Sequence, residues 1–155
     1  MSLSTGDKIP DLTLPASGGK TVKLAKDYKG KKLVVYFYPK DNTPGCTVEG
    51  NEFTALYQDF VSAGADIVGV SKDSVKSHDN FCTKFGFPFL LLSDGDEAMC
   101  NAFGAIVEKS MYGKKYMGID RCTFLFNASG KLVRDWRKVS AKGHAADVLE
   151  AVKAL

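Results

Sequence analysis

Residues 33–53, LVVYFYPKDNTPGCTVEGNEF, decide the fold. Leu33–Tyr38 is a continuous apolar run rich in β-formers, the composition of a strand covered on both faces. Pro39 ends it, and the turn cluster KDNTPG at 40–45 leads into a helical pattern. Phe53, Leu56, Tyr57 and Phe60 then fall at i, i+3, i+4 and i+7 and form one apolar helix face, with Gly64 as the stop. A buried strand feeding a helix through a short turn is the opening unit of an α/β fold.

Outward from this unit the alternation continues. On the amino-terminal side, Leu12–Leu14 and Val22–Leu24 flank the Gly18-Gly19 pair and read as a small hairpin or two edge strands. On the carboxyl side, Asp66–Val70 is a second buried strand. Ser74 caps a helix running to about Phe85, and Gly86-Phe87-Pro88 closes it. Phe89–Leu92 is a third strand and Glu97–Phe103 a short helix ending at Gly104. A loop carrying Gly113 and Gly118 follows, then a hairpin from Arg121–Phe126 and Lys131–Arg137. The last helix places Ala145, Val148, Leu149, Val152 and Leu155 on one face. The pattern predicts one α/β domain over 1–155, a central mixed sheet flanked by helices with an additional N-terminal β-hairpin.

Bulk properties exclude several functions. The net charge is +3, from 21 basic and 18 acidic residues spread along the chain, so no basic stripe for nucleic acid is expected. Lys114-Lys115 reads as a solvated loop. No apolar run approaches the roughly 20 residues that a spanning helix needs, and the polar amino end, Met1 to Lys8, does not read as a secretory signal. A cytoplasmic protein, or the mature form of an organellar one, is expected. The four cysteines, at 46, 82, 100 and 122, form no C-x-x-C pair, and His78 and His144 stand at no ligand spacing from them. Neither a disulfide framework nor a structural zinc site is expected, and no cofactor is implied.

Cys46 stands apart from the other cysteines. Thr43 suits an N-cap and Pro44 a first helical position, which puts Cys46 in the first turn. There, free backbone N–H groups and the helix dipole favour the negative thiolate, and the thiolate is the nucleophile. By placement alone Cys46 is either such a nucleophile or a small apolar residue tucked under a helix start.

Pro39, Thr43 and Cys46 reproduce the P-x-x-x-T-x-x-C signature of peroxiredoxins. The run YFYPKDNTPGCTVEG, with SHDNF at 77–81, LLSD at 91–94, AFG at 102–104 and GIDRCTF at 118–124, resembles the bacterioferritin comigratory protein, or peroxiredoxin Q, subfamily. The resemblance covers nearly the whole chain. It implies a thioredoxin-like fold and a thiol peroxidase acting on hydrogen peroxide and organic hydroperoxides. Cys46 then matches the peroxidatic cysteine, oxidised to a sulfenic acid. Thr43 places its hydroxyl on the peroxide or thiolate, Gly45 and Cys46 offer N–H groups to the substrate oxygens, and Pro39 shields the thiolate from water. Arg121 matches the family's distant arginine, whose guanidinium stabilises the thiolate and the leaving oxygen. Strand alternation puts Arg121, Thr123 and Leu125 on one face and Cys122, Phe124 and Phe126 on the other. Glu49 either orients Arg121 by a charge-assisted bond or is simply an acid favoured at a helix start.

Many members of the subfamily carry a resolving cysteine five residues after the nucleophile, where this chain has Asn51. Another branch carries it on the next helix, where Cys82 stands. The resemblance therefore implies Cys82 as the resolving thiol, against the alternative of a core cysteine. A Cys46–Cys82 disulfide would require local unwinding of both helices if Cys82 packs under its own. Cys100 and Cys122 are expected to be structural, His78 and His144 to be surface or helix-end residues, and Trp136 to pack on the last strand. The resemblance also implies thioredoxin as electron donor and a monomer. Two rivals remain: a disulfide oxidoreductase, which lacks its C-x-x-C here, and a redox sensor on the same scaffold, which catalytic turnover would exclude.

Overall fold

The structure, a computed structural model, describes residues 3–155; Met1 and Ser2, at the start of the polar amino end, lie outside the described residues. The apolar run at 33–38 becomes an inner strand of a seven-stranded mixed sheet. In chain order the strands are β1 (Thr13–Ala16), β2 (Lys20–Lys23), β3 (Lys32–Phe37), β4 (Ala65–Ser71), β5 (Leu90–Ser93), β6 (Ile106–Met111), β7 (Lys114–Ile119), β8 (Cys122–Phe126) and β9 (Leu132–Trp136). The helices are α1 (Leu24–Asp27), α2 (Pro44–Ala55), α3 (Tyr57–Ser62), α4 (Val75–Phe85), α5 (Ala98–Phe103) and α6 (His144–Lys153). The sheet order is β2-β1-β5-β4-β3-β8-β9. β3, β4 and β5 run parallel, while β8 pairs antiparallel to β3. The expected N-terminal hairpin is β1–β2, attached to the main sheet through Ala16 opposite Leu92.

Alternation along β3 divides the core in two. Leu33, Val35 and Phe37 join one apolar cluster with Met99, Phe103, Phe124 and Phe126. Val34, Tyr36 and Tyr38 join the other with Phe53, Phe60, Phe81, Leu125 and Val148. α2, α3, α4 and α6 therefore cover one face of the sheet, and α1 and α5 the other. α2 comes close enough to the turn after α4 that a Cβ on Gly50 would lie 2.5 Å from the Phe87 ring, so only glycine fits there without a shift.

Three elements differ from the sequence reading. The helix expected to run through to Gly64 breaks at Leu56, leaving α2 and α3. Apolar spacing continues across the break, so periodicity could not mark it. The loop expected around Gly113 and Gly118 is a separate two-stranded ribbon, β6–β7, turning at Tyr112 (φ 53°) and Gly113 (φ 76°). Two consecutive positive φ angles make the primed turn that suits a two-residue hairpin. Finally, Glu97 lies just before α5 in a left-handed conformation, and the Asp94 carboxylate accepts the N–H groups of Met99 and Cys100 at 3.0 and 2.7 Å. Among the described residues no helix is long and apolar enough to cross a membrane.

Candidate active site

α2 starts where the sequence places it. Thr43 is the N-cap residue, with extended backbone, and Pro44 occupies the first turn. The first intrahelical bond runs from Thr47 N–H to the Thr43 carbonyl at 2.9 Å. The amides of Gly45 and Cys46 precede it, where helical geometry supplies no acceptor and the dipole is positive. The Thr43 hydroxyl does not cap the helix; it donates to the Lys40 carbonyl at 2.8 Å. Its lone pairs are thus left to accept from a ligand.

Cys46, Glu49, Gly50 and Phe53 form the buried face of α2. Cys46 is only 2% exposed. Arg121, the residue before β8, reaches over it: Nη2 donates to Cys46 Sγ at 3.3 Å and Nη1 to Glu49 Oε1 at 2.6 Å. One guanidinium thereby ties two groups one helical turn apart, a task for its rigid fork. Gly45 leaves it room, since a Cβ there would sit 3.0 Å from Nη2. Negative charge on sulfur is stabilised from both sides, by the helix start and by the guanidinium.

Glu49 is fully buried and its Oε2 is the one buried side-chain polar atom without a partner among the described residues. Burial pushes its carboxyl up to about 7, with the Arg121 charge and hydrogen bond offsetting part of the effect. The ordinary value is 4.5, so the native state holds this proton more tightly than the unfolded chain. The associated stability is therefore full at pH below 4.5 and is lost as pH rises towards 7. Relative to Glu49→Gln, urea denaturation of the wild type should lose on the order of 3 kcal/mol across that window. A flat difference between the two proteins would show that Glu49 stays ionised throughout.

The other sequence candidates are placed less closely. Pro39 is exposed at the strand end. Cys82 lies half-buried on α4, in the same apolar cluster as Cys46, and burial raises its thiol while a hydrogen bond with Ser17 opposes the rise. All four cysteines are free thiols. Cys100 and Cys122 are fully buried on the other face of the sheet, and burial raises both thiols, Cys122 to about 12. Trp136 closes β9, and the Arg134 guanidinium stacks on its ring at 4.5 Å.

His78 corrects the sequence reading, and His144 meets it in its helix-end position while being buried. His78 is fully buried, with Nδ1 2.7 Å from Asp41 Oδ2 and Nε2 2.9 Å from the Leu92 carbonyl. His144 does open α6, but its ring is buried beside Thr123 Oγ1 at 2.7 Å, and burial lowers its pKa to about 4. Their partners lie 14 to 37 residues away in sequence, so no local pattern could show them. Among the described residues no group of three His, Cys, Asp or Glu side chains stands together as a metal site.

What this arrangement can do chemically is narrow. A single charge-stabilised thiol, screened from bulk water and without a second thiol beside it at the helix start, suits oxidation by a small electrophilic oxygen rather than disulfide exchange. The class this defines is a thiol-dependent peroxidase. Residues 5–134 match the model of the AhpC/TSA family. Peroxiredoxin Bcp of Xanthomonas campestris pv. campestris is 59% identical over 144 residues, covering 93% of this chain and 89% of that protein. A solved structure of the Xanthomonas campestris bacterioferritin comigratory protein, studied for its alkyl peroxide reduction activity, is 54% identical with a TM-score of 0.91, covering 97% of this chain and 98% of that one. The crystal structure of a cysteine-to-serine mutant of Xylella fastidiosa PrxQ is 46% identical with a TM-score of 0.93, covering 99% and 98%. The chain belongs to the AhpC/TSA family, as a peroxiredoxin of the Bcp or PrxQ group with the thioredoxin-like fold of that group.

Proposed function

We propose that Cys46 is the peroxidatic thiolate of a two-cysteine cycle, and that the contact from Arg121 Nη2 to its sulfur carries this reading. The thiolate attacks one oxygen of the hydroperoxide, the O–O bond breaks, and Cys46 becomes a sulfenic acid. The departing oxygen leaves as hydroxide or alkoxide and takes a proton to give water or an alcohol. Charge moves from sulfur to that oxygen along a line that the guanidinium flanks throughout, and the Gly45 and Cys46 amides add donors to it. Thr43, its own hydrogen committed to Lys40, accepts the hydroperoxide O–H and orients the substrate. Pro39, just after β3 in the peroxiredoxin signature, shields the thiolate from water in this reading, and Glu49 holds the guanidinium in place. The alkyl peroxide activity described for the Xanthomonas campestris protein supports organic hydroperoxides as well as hydrogen peroxide as substrates.

In the second half of the cycle the Cys82 thiol attacks the sulfenic sulfur, giving a disulfide and water. A thioredoxin dithiol then reduces that disulfide and is itself oxidised. Cys46 lies on the buried face of α2 and Cys82 packs half-buried on α4, and in this reading the first turn of α2 and part of α4 unwind for the bond to form. We take the enzyme to act as a monomer in the cytoplasm.

Peptide mapping by mass spectrometry after one equivalent of hydrogen peroxide tests the cycle on wild type and Cys82→Ser. Wild type should lose two hydrogens and yield one peptide joining Cys46 to Cys82, whereas Cys82→Ser should stop at Cys46 sulfenic acid. A bond from Cys46 to Cys100 or Cys122, or a stable sulfenic acid in the wild type, would remove Cys82 from the mechanism.

A further inference from the structure

Outside the reaction site, a group of buried, hydrogen-bonded polar side chains lies between the loop before Cys46 and the helix that carries Cys82. Asp41 is 7% exposed and both of its oxygens are engaged. Oδ1 accepts from Tyr38 Oη at 2.6 Å, and Oδ2 accepts from Ser77 Oγ at 2.7 Å and faces His78 Nδ1 at 2.7 Å. The Leu92 carbonyl can only accept, so His78 Nε2 carries a hydrogen. Nδ1 stands at hydrogen-bond distance from Asp41 Oδ2. Both ends of the imidazole are thus fastened, one to the loop and one to β5. The loop end is anchored in turn, since Asp73 Oδ2 accepts the Asp41 backbone N–H at 2.9 Å.

The placement matters more than the bonds. Asp41 stands five residues before Cys46, and His78 one helical turn before Cys82. Past His78, α4 is held at its end by the Gly86 N–H donating to the Cys82 carbonyl at 2.7 Å. Fastening His78 opposes unwinding of the turn that leads directly into Cys82. We infer that the Asp41–His78 clasp is a latch that keeps α4 wound during peroxide reduction and limits how fast Cys82 is released to the Cys46 sulfenic acid. His78 is in this sense a positioning residue. The inference rests on the two-cysteine cycle proposed above. The step that the latch governs is the condensation of Cys46–S–OH with Cys82–SH to Cys46–S–S–Cys82 and water, which needs no further reactant.

Rapid-quench mass spectrometry at a series of peroxide concentrations separates Cys46 oxidation from disulfide formation. His78→Phe keeps a buried ring and removes both polar contacts. His78→Gln and Ser77→Ala remove less and guard against a fold that does not survive the first change. Disulfide formation should rise about tenfold in His78→Phe, the factor equivalent to one hydrogen bond's net contribution, and by a smaller factor in the milder variants. Cys46 oxidation should stay within about twofold of wild type, and less Cys46 should reach sulfinic acid at high peroxide, because a faster resolving step competes better. Amide exchange in 75–85 of the reduced protein should quicken in parallel. Disulfide formation unchanged or slower in the folded variants would overturn the latch, as would a parallel change in both steps. If the wild type itself joins no Cys46 to Cys82, the cycle fails, and that result is distinct from a failure of the latch alone.

Discussion

Cys46→Ser should consume no hydroperoxide above the uncatalysed rate in a coupled assay with thioredoxin and its reductase. Oxygen replaces sulfur at nearly the same size, and the Arg121 guanidinium can still donate to it. The hydroxyl, however, is a weak nucleophile with no general base placed to ionise it. Removing the nucleophile from a catalytic unit costs about 10⁴- to 10⁶-fold, and the loss here should lie in that range. The site is 2% exposed and the replacement keeps a hydrogen-bond acceptor for Arg121, so the urea midpoint should barely move. Residual turnover above 1% of wild type would mean that a different thiol attacks the peroxide.

The second largest effect is expected at Arg121. Arg121→Met removes the donor at 3.3 Å from the Cys46 sulfur, and Cys46 oxidation should slow by about 10²- to 10³-fold, the usual consequence of losing one preorganised donor at a site of developing charge. The same change strands Glu49, whose Oε1 loses its partner in a site with no exposure at all. Without Arg121 nothing offsets the burial of the carboxyl, which takes up a proton and stays as an unpartnered polar group, so stability should fall by about 1–3 kcal/mol. Arg121→Met/Glu49→Gln separates the two roles. It should remove the part of the stability loss that depends on pH, since no ionisable carboxyl is left, and recover none of the rate. Recovery of the rate in the double variant would reduce Arg121 to a structural partner of Glu49. Arg121→Lys is also informative, since one ammonium cannot hold the fork geometry towards both sulfur and carboxylate.

The sheet was legible in the sequence where burial is complete. Every residue of Leu33–Tyr38 is apolar and every one is buried, so composition and environment agree. It was illegible where strands are half wet. β6 and β7 are mostly exposed, with Glu108, Lys109, Lys114 and Lys115 interrupting any alternation, and only the Tyr112-Gly113 pair could have signalled their turn. Leu56 breaks the helix while keeping its apolar register, so a periodicity argument reads straight through it. The site shows the same division. Placement of Cys46 at a helix start follows from Thr43-Pro44 alone. Its pairing with Arg121 spans 75 residues and was accessible only through resemblance. The burial of Asp41 and His78 had no sequence signal, because a polar residue in a turn and one on a helix look solvated until the chain brings them together.

The detached ribbon has a bearing on the oxidant itself. Met111 and Met117 lie on it, 56% and 58% exposed, while Met99 is wholly enclosed in the core. Thioethers take up oxygen from peroxides to become sulfoxides, which are polar and fit badly in a packed interior. On the ribbon that change meets water and alters no packing that the sheet depends on. Among the described residues, the methionines most open to attack are thus where damage matters least, and the one whose oxidation would disrupt the core is out of reach.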